Sequence, residues 1–131
     1  MYNRIFRERS SQELKMKVRR LKELLSTLND DLEEQLLKII NHYGVNDQQR
    51  QLAEEVFELQ EAITIYELKN SVQYEMPLTE LLATKEHLTE ECADVIVMLL
   101  QFMLYYDIDT DELNKMIDQK IKRQLERIKN E

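Results

Sequence analysis

Two short segments of this chain carry carboxylates at a spacing that suits a divalent cation. The first segment is EEVFE, whose acidic side chains are Glu54, Glu55 and Glu58. The second segment is ECAD, in which Glu91 and Asp94 are three residues apart. Residues three apart in an α-helix lie on the same side of it. If both segments are helical, Glu55 with Glu58 and Glu91 with Asp94 form two carboxylate pairs.

The apolar residues around these segments predict the helix faces that pack. The first helix has a stripe at Leu52, Val56, Leu59 and Ile63, and the second has one at Leu88, Cys92, Val95, Leu99 and Phe102. Each carboxylate pair falls on the same flank of its own stripe, whereas Glu54 and Glu61 point away. Segments 52–58 and 88–94 can be aligned with each other. We therefore expect two antiparallel helices that each bring one carboxylate pair to the edge of a shared seam.

Four carboxylates at one seam would repel one another strongly. Two unit charges 4 Å apart interact by about 4 kcal/mol at an effective dielectric constant of 20. Divalent ions would neutralise them, and ligand sets made only of oxygen select hard ions such as Mg²⁺ or Mn²⁺. A ferritin-like di-iron site is excluded because Ile39 and Thr84, three residues before His42 and His87, are not glutamates. The alternative is that the glutamates form an ordinary solvated helix surface.

Composition and the positions of helix-capping and helix-breaking residues predict an all-α bundle of about five helices in a single domain, residues 1–131. The chain has one Gly and one Pro, too few for the turns of most sheet proteins. Ser10 with Glu13 predicts the start of the first helix, and Gly44 the end of the second. The third helix is expected from Asn46 to about residue 69. A loop follows at 70–79, then a helix to about 106, then a last helix capped by Thr110.

Charge and hydropathy exclude several classes of protein. The longest apolar run, residues 95–100, has six residues, so we expect no membrane span. The single Cys92 and the absence of an apolar leader favour a cytoplasmic protein. The net charge of −8 argues against nucleic-acid binding. Residues 1–22 are basic, with eight Lys/Arg against two Glu, which indicates docking on an acidic partner surface or, alternatively, a nucleic-acid arm.

Taken together, the acidic segments resemble the EExxE and ExxD signature of the MazG-like all-α nucleoside triphosphate pyrophosphohydrolases. EEVFE occupies residues 54–58 and ECAD occupies residues 91–94. The ending KIKRQLERI, residues 120–128, resembles the basic last helix of the same family. The resemblance covers residues 36–129 and leaves the N-terminal helix, residues 1–30, outside it.

The resemblance implies an all-α core that forms a homo-oligomer, either a dimer or a tetramer. It implies Mg²⁺-dependent hydrolysis of a nucleoside or deoxynucleoside triphosphate to the monophosphate and pyrophosphate. By motif position, Glu55, Glu58, Glu91 and Asp94 would be the metal ligands. Glu54 would support these ligands or orient the attacking water, so that Glu54 and Glu55 are the expected catalytic residues.

The last helix supplies positive charge that could bind the phosphates of such a substrate. Lys120, Arg123 and Arg127 fall on one side of its apolar stripe. Arginine can bind phosphate oxygens in a bidentate manner. The alternative for these three residues is a solvated flank or ion pairs with nearby glutamates.

The competing functional class is a non-enzymatic helical interaction protein, or a regulatory protein that binds nucleotide without turning it over. In either case the glutamates would lie on solvated faces or bind nucleotide through a metal without hydrolysis. All five acidic positions of the signature are present in this chain. The intact signature favours the enzyme over the two alternatives.

Overall fold

The computed structural model describes residues 30–131 except 73 and 74, together with residues 12, 13, 15, 16, 19 and 23. Between residues 30 and 131 it contains four helices: α1 (Asp30–Tyr43), α2 (Val45–Ser71), α3 (Leu78–Tyr105) and α4 (Thr110–Lys129). The described residues include no strand, which confirms the predicted all-α class for them. Ser10, which was expected to begin the first helix, lies outside the described residues. None of the described helices is long and apolar enough to cross a membrane.

Glycine and proline set the breaks between helices much as the sequence predicts. Gly44 ends α1 with a φ of 91°, a conformation that side chains with a Cβ rarely adopt. Its backbone N–H donates to the carbonyl of Ile40 at 2.8 Å. Pro77 immediately precedes α3, so the break is shorter than the predicted loop 70–79. Asp109, rather than Thr110, caps α4 by accepting a hydrogen bond from the backbone N–H of Glu112 at 2.8 Å.

The chain separates into two compact units. One unit comprises residues 33–107 and contains the packed pair of helices α2 and α3. The other comprises residues 1–32 and 108–131 and contains α4. The expected single domain over residues 1–131 stays a prediction.

Helices α2 and α3 are antiparallel, and two side-chain contacts fix their register. Near the start of α2, the buried Gln48 Nε2 donates to Gln101 Oε1 at 2.7 Å. Near its end, Lys69 Nζ donates to Glu80 Oε1 at 3.2 Å. In both pairs the two residue numbers add up to 149. A residue of α2 therefore faces the α3 residue whose number completes the same total.

The packed face of α2 and α3, which we call the seam, is not the predicted one. It includes Gln48, Ala62, Thr84, Glu91 and Met98, all of which are buried. The expected stripe residues Ile63 and Leu99 are 45% and 47% exposed, and Val56 and Cys92 are exposed as well. The other five stripe residues are half-buried: Leu52, Leu59, Leu88, Val95 and Phe102. The packed face therefore overlaps the predicted stripe in part and is shifted from it by about one flank. Small and polar side chains line the seam, so a stripe chosen by hydrophobicity missed its centre.

Candidate metal centre

The seam brings together carboxylates from both helices at its midpoint. Carboxylate oxygens of Glu55, Glu91 and Asp94 lie within 4.8 Å of one another, and we call these three residues the carboxylate cluster. The register explains the arrangement, because it places Glu55 opposite Asp94 and Glu58 opposite Glu91. The two antiparallel helices thus both contribute carboxylates to one site.

The cluster contains buried carboxylate oxygens that lack partners. Glu91 is only 8% exposed, and Glu55 is half-buried. The Oε2 atoms of both residues are buried and have no hydrogen-bond partner among the described residues. A buried carboxylate oxygen without a partner is unfavourable, and buried charges in proteins are normally paired or coordinate metals. The donor set therefore fits a divalent cation that prefers oxygen ligands.

The other oxygen of each of these two glutamates has a polar side chain nearby. Gln51 Nε2 donates a hydrogen bond to Glu55 Oε1 at 2.7 Å. His87 Nδ1 lies 3.6 Å from Glu91 Oε1, an ion-pair distance when the imidazole is protonated. Each partner sits four residues before its glutamate on the same helix. Glu55 is thus held through Oε1, Glu91 Oε1 has an imidazole nearby, and the Oε2 atoms of both residues have no hydrogen-bond partner among the described residues.

Glu58 lies in the electric field of the cluster, although it is exposed to solvent. Its pKa is raised above the ordinary value of 4.5, chiefly by the negative charge of Glu55. Partial loss of hydration, the charge of Glu91 and a hydrogen bond with Glu55 raise the pKa further, as does the charge of Glu54. The neighbouring negative charges disfavour the charged form of Glu58, and a cation would relieve this repulsion.

The other predicted site residues are not part of the carboxylate cluster. Glu54 is exposed on α2, and its negative charge contributes to the raised pKa of Glu58. Lys120, Arg123 and Arg127 are exposed on α4, which belongs to the other compact unit. Their role in phosphate binding stays a prediction.

Comparison with protein-family models, with curated proteins and with solved structures finds no match to this chain. The resemblance to the MazG-like family therefore stays a prediction based on the two acidic segments and the basic ending. The candidate metal centre depends on the chain's own geometry.

Sequence reasoning missed two residues of this site, Gln51 and His87. The sequence patterns indicated no role for Gln51, and they excluded His87 as a ligand of a di-iron site. Extending the alignment of segments 52–58 and 88–94 by one residue would have placed Gln51 over His87. Both residues also precede a glutamate of the signature by four positions, which is the spacing of neighbours on a helix.

Proposed function

We propose that this chain is a Mg²⁺-dependent nucleoside triphosphate pyrophosphohydrolase of the MazG-like type. The observation that carries the proposal is the pair of buried, unpartnered oxygens of Glu55 and Glu91 inside a three-carboxylate cluster. Acidic residues on a helix surface are common, but a carboxylate that is 8% exposed and has one buried oxygen without a partner is unfavourable unless a cation compensates its charge.

Glu55, Glu58, Glu91 and Asp94 would hold the cation, Mg²⁺ or in its place Mn²⁺. Oxygen-only ligand sets favour these hard ions over zinc or copper. When bound, such ions neutralise phosphate oxygens, activate water and stabilise a pyrophosphate leaving group. The substrate would be a nucleoside or deoxynucleoside triphosphate cleaved between its α- and β-phosphates.

The other residues of the chain would position the reactants. Glu54 stands beside Glu55 on the exposed side of the helix, where its carboxylate can accept a hydrogen bond from the attacking water. Lys120, Arg123 and Arg127 would donate hydrogen bonds to the phosphate chain, with the two arginines offering bidentate geometry. Catalysis of this kind depends mainly on positioning and on stabilising charge.

The proposal includes a homo-oligomer, either a dimer or a tetramer. Val56 and Ile63 on α2 and Cys92 and Leu99 on α3 are exposed, and we call these four residues the apolar flank. Helical geometry and the antiparallel register place them on one side of the helix pair, opposite the side of Glu58 and Asp94. An exposed apolar strip that crosses two helices favours contact with another protein surface.

The experiment that tests the function is a substrate panel. The standard nucleoside and deoxynucleoside triphosphates, with common oxidised or deaminated forms, are incubated with the protein and Mg²⁺. Pyrophosphate and orthophosphate are then measured separately. We expect pyrophosphate from at least one substrate and none from Glu55→Gln. The control Glu61→Gln removes the same charge from an exposed position of the same helix and should retain activity.

The products distinguish the proposal from its alternatives. Orthophosphate with a nucleoside diphosphate would place the cleavage at a different bond and contradict the mechanism. Nucleotide binding without either product would indicate a regulatory nucleotide-binding protein. Neither binding nor turnover would favour a helical interaction protein, for which the exposed apolar flank supplies a surface.

A further inference from the structure

We propose that Gln51 and His87 are positioning residues, each of which holds one glutamate of the carboxylate cluster so that a single oxygen is left for the cation. This inference rests on the proposed metal centre and adds the groups that orient its ligands. Neither residue belongs to the acidic signature.

The two carboxylate oxygens of each glutamate have different surroundings. In Glu55, Oε1 accepts the hydrogen bond from Gln51 at 2.7 Å, and Oε2 is buried without a partner. In Glu91, Oε1 faces His87 Nδ1 at 3.6 Å, and Oε2 is again buried without a partner. In each glutamate one oxygen has a polar side chain one helical turn earlier, and the other oxygen is buried without a partner among the described residues. The two free oxygens belong to residues whose carboxylates meet in the cluster.

The residues that α2 and α3 contribute to the site are equivalent in spacing. Gln51, Glu55 and Glu58 on α2 have the same spacing as His87, Glu91 and Asp94 on α3. Because the helices are antiparallel and in register about the same midpoint, an approximate two-fold axis relates the two triplets. Gln51 and His87 therefore occupy equivalent places, and each brings a side-chain nitrogen close to the glutamate one helical turn later.

A hydrogen bond to Oε1 restricts the rotation of the carboxylate before any cation arrives. A ligand oriented in advance loses less conformational freedom on binding. Groups that orient metal ligands in this way change metal affinity by about 10- to 100-fold when they are removed. The shorter contact of Gln51 predicts a larger effect than the longer contact of His87.

The test measures Mn²⁺ binding by calorimetry, together with the electron paramagnetic resonance spectrum of the bound ion. The variants are Gln51→Ala and His87→Ala, with Gln49→Ala as a matched control at an exposed position of α2. We expect Gln51→Ala to weaken Mn²⁺ binding about tenfold or more and to broaden the spectrum. Loss of the hydrogen bond to Glu55 is offset in part by the helix propensity of alanine, so the metal-free melting temperature should fall only slightly. His87→Gln should bind better than His87→Ala, because glutamine can donate as Gln51 does.

The results separate this inference from the proposed function. If Gln51→Ala and His87→Ala bind Mn²⁺ as tightly as Gln49→Ala does, with an unchanged spectrum, the positioning role is overturned and the metal centre stands. If the unaltered protein binds no Mn²⁺, the metal centre is overturned and the positioning role with it. Weakened binding in Gln51→Ala that is accompanied by a large fall in the metal-free melting temperature and by an unchanged spectrum also overturns it, because the residue would then serve the fold alone.

Discussion

The raised pKa of Glu58 makes the stability of the metal-free protein depend on pH. An acid whose pKa is higher in the folded chain than in the unfolded chain binds more protons when the chain is folded. Stability therefore falls as the pH rises from 4.5 through the raised pKa, and the full penalty is present above it. The main cause is the charge of Glu55, so the penalty should be removed when Glu58 loses its own charge.

We accordingly expect Glu58→Gln to melt at a higher temperature than the unaltered protein at pH 7 in the presence of EDTA. The difference should shrink as the pH falls from 7 through the raised pKa, because protonation then removes the charge of Glu58 from the unaltered protein. Thermal melts followed by circular dichroism across this range measure it. The exposed Glu61→Gln serves as the control for a simple change in net charge. A lower melting temperature for Glu58→Gln at pH 7 would contradict the electrostatic argument.

When a cation is present, the charge of Glu91 should contribute to stability, because Glu91 would be a ligand of the cation. A ligand that binds only the folded state stabilises it by about 2.7 kcal/mol when its concentration is 100 times the dissociation constant. Mg²⁺ should therefore raise the melting temperature of the unaltered protein. The rise should be lost in Glu91→Gln, which removes the most buried carboxylate of the cluster. Glu86→Gln, an exposed position on the same helix, should keep it. An equal rise in both variants would remove Glu91 from the site.

At the scale of elements, the register of α2 and α3 decides whether the carboxylates meet. Gln101 is 1% exposed and accepts the hydrogen bond from the buried Gln48. We expect Gln101→Leu to reduce the free energy of unfolding by about 1–3 kcal/mol, because Gln48 is left with a buried, unpaired amide. Replacing both residues by leucine should recover much of this loss. Urea denaturation measures both effects.

The matched control for this prediction is the pair at the other end of the same helices. Lys69 and Glu80 are joined by a more exposed salt bridge, so Lys69→Ala should change stability by less than about 1 kcal/mol. If Gln101→Leu were as mild as Lys69→Ala, the buried pair would not be the contact that fixes the register.

The sequence predicted the helices better than it predicted their packed faces. Gly44 and Pro77 mark breaks for local reasons of backbone conformation, and such features are visible in one segment of sequence. The packed face depends on the partner helix. Ala62 allows close approach, and Glu91 is buried because the opposing helix covers it. A stripe of hydrophobic residues could not indicate that a glutamate lies at the centre of the seam.

The sequence predicted which carboxylates belong to the site, but it did not predict how they are arranged. The matched spacing of segments 52–58 and 88–94 indicated which carboxylates would share a seam. It could not give the burial of Glu91 or the separate roles of its two oxygens. Both follow from the register, which is fixed by contacts between residues more than fifty positions apart, such as Gln48 and Gln101.

At the scale of the whole molecule, the apolar flank of Val56, Ile63, Cys92 and Leu99 suggests how copies of the chain associate. Residues 56 and 63 on α2 have the same spacing as residues 92 and 99 on α3, so the approximate two-fold symmetry of the carboxylates extends to this flank. A surface that is nearly symmetric in itself suits the self-complementary contact of a two-fold dimer. The carboxylate cluster lies towards the other flank and would stay open to substrate.

We therefore expect the protein to be a dimer or a tetramer at micromolar concentration, as measured by light scattering and analytical ultracentrifugation. Ile63→Glu and Leu99→Glu place a charge on the apolar flank at positions that are already 45% and 47% exposed, so the helix pair itself should still fold. Each should shift the protein towards the monomer, because an unpaired charge in an apolar contact loses its hydration. Ala83→Glu adds the same charge at an exposed position on the opposite side of α3 from Cys92 and Leu99 and should leave the assembly unchanged. A monomeric unaltered protein, or an assembly that persists in both flank variants, would show that this flank is not the contact between copies.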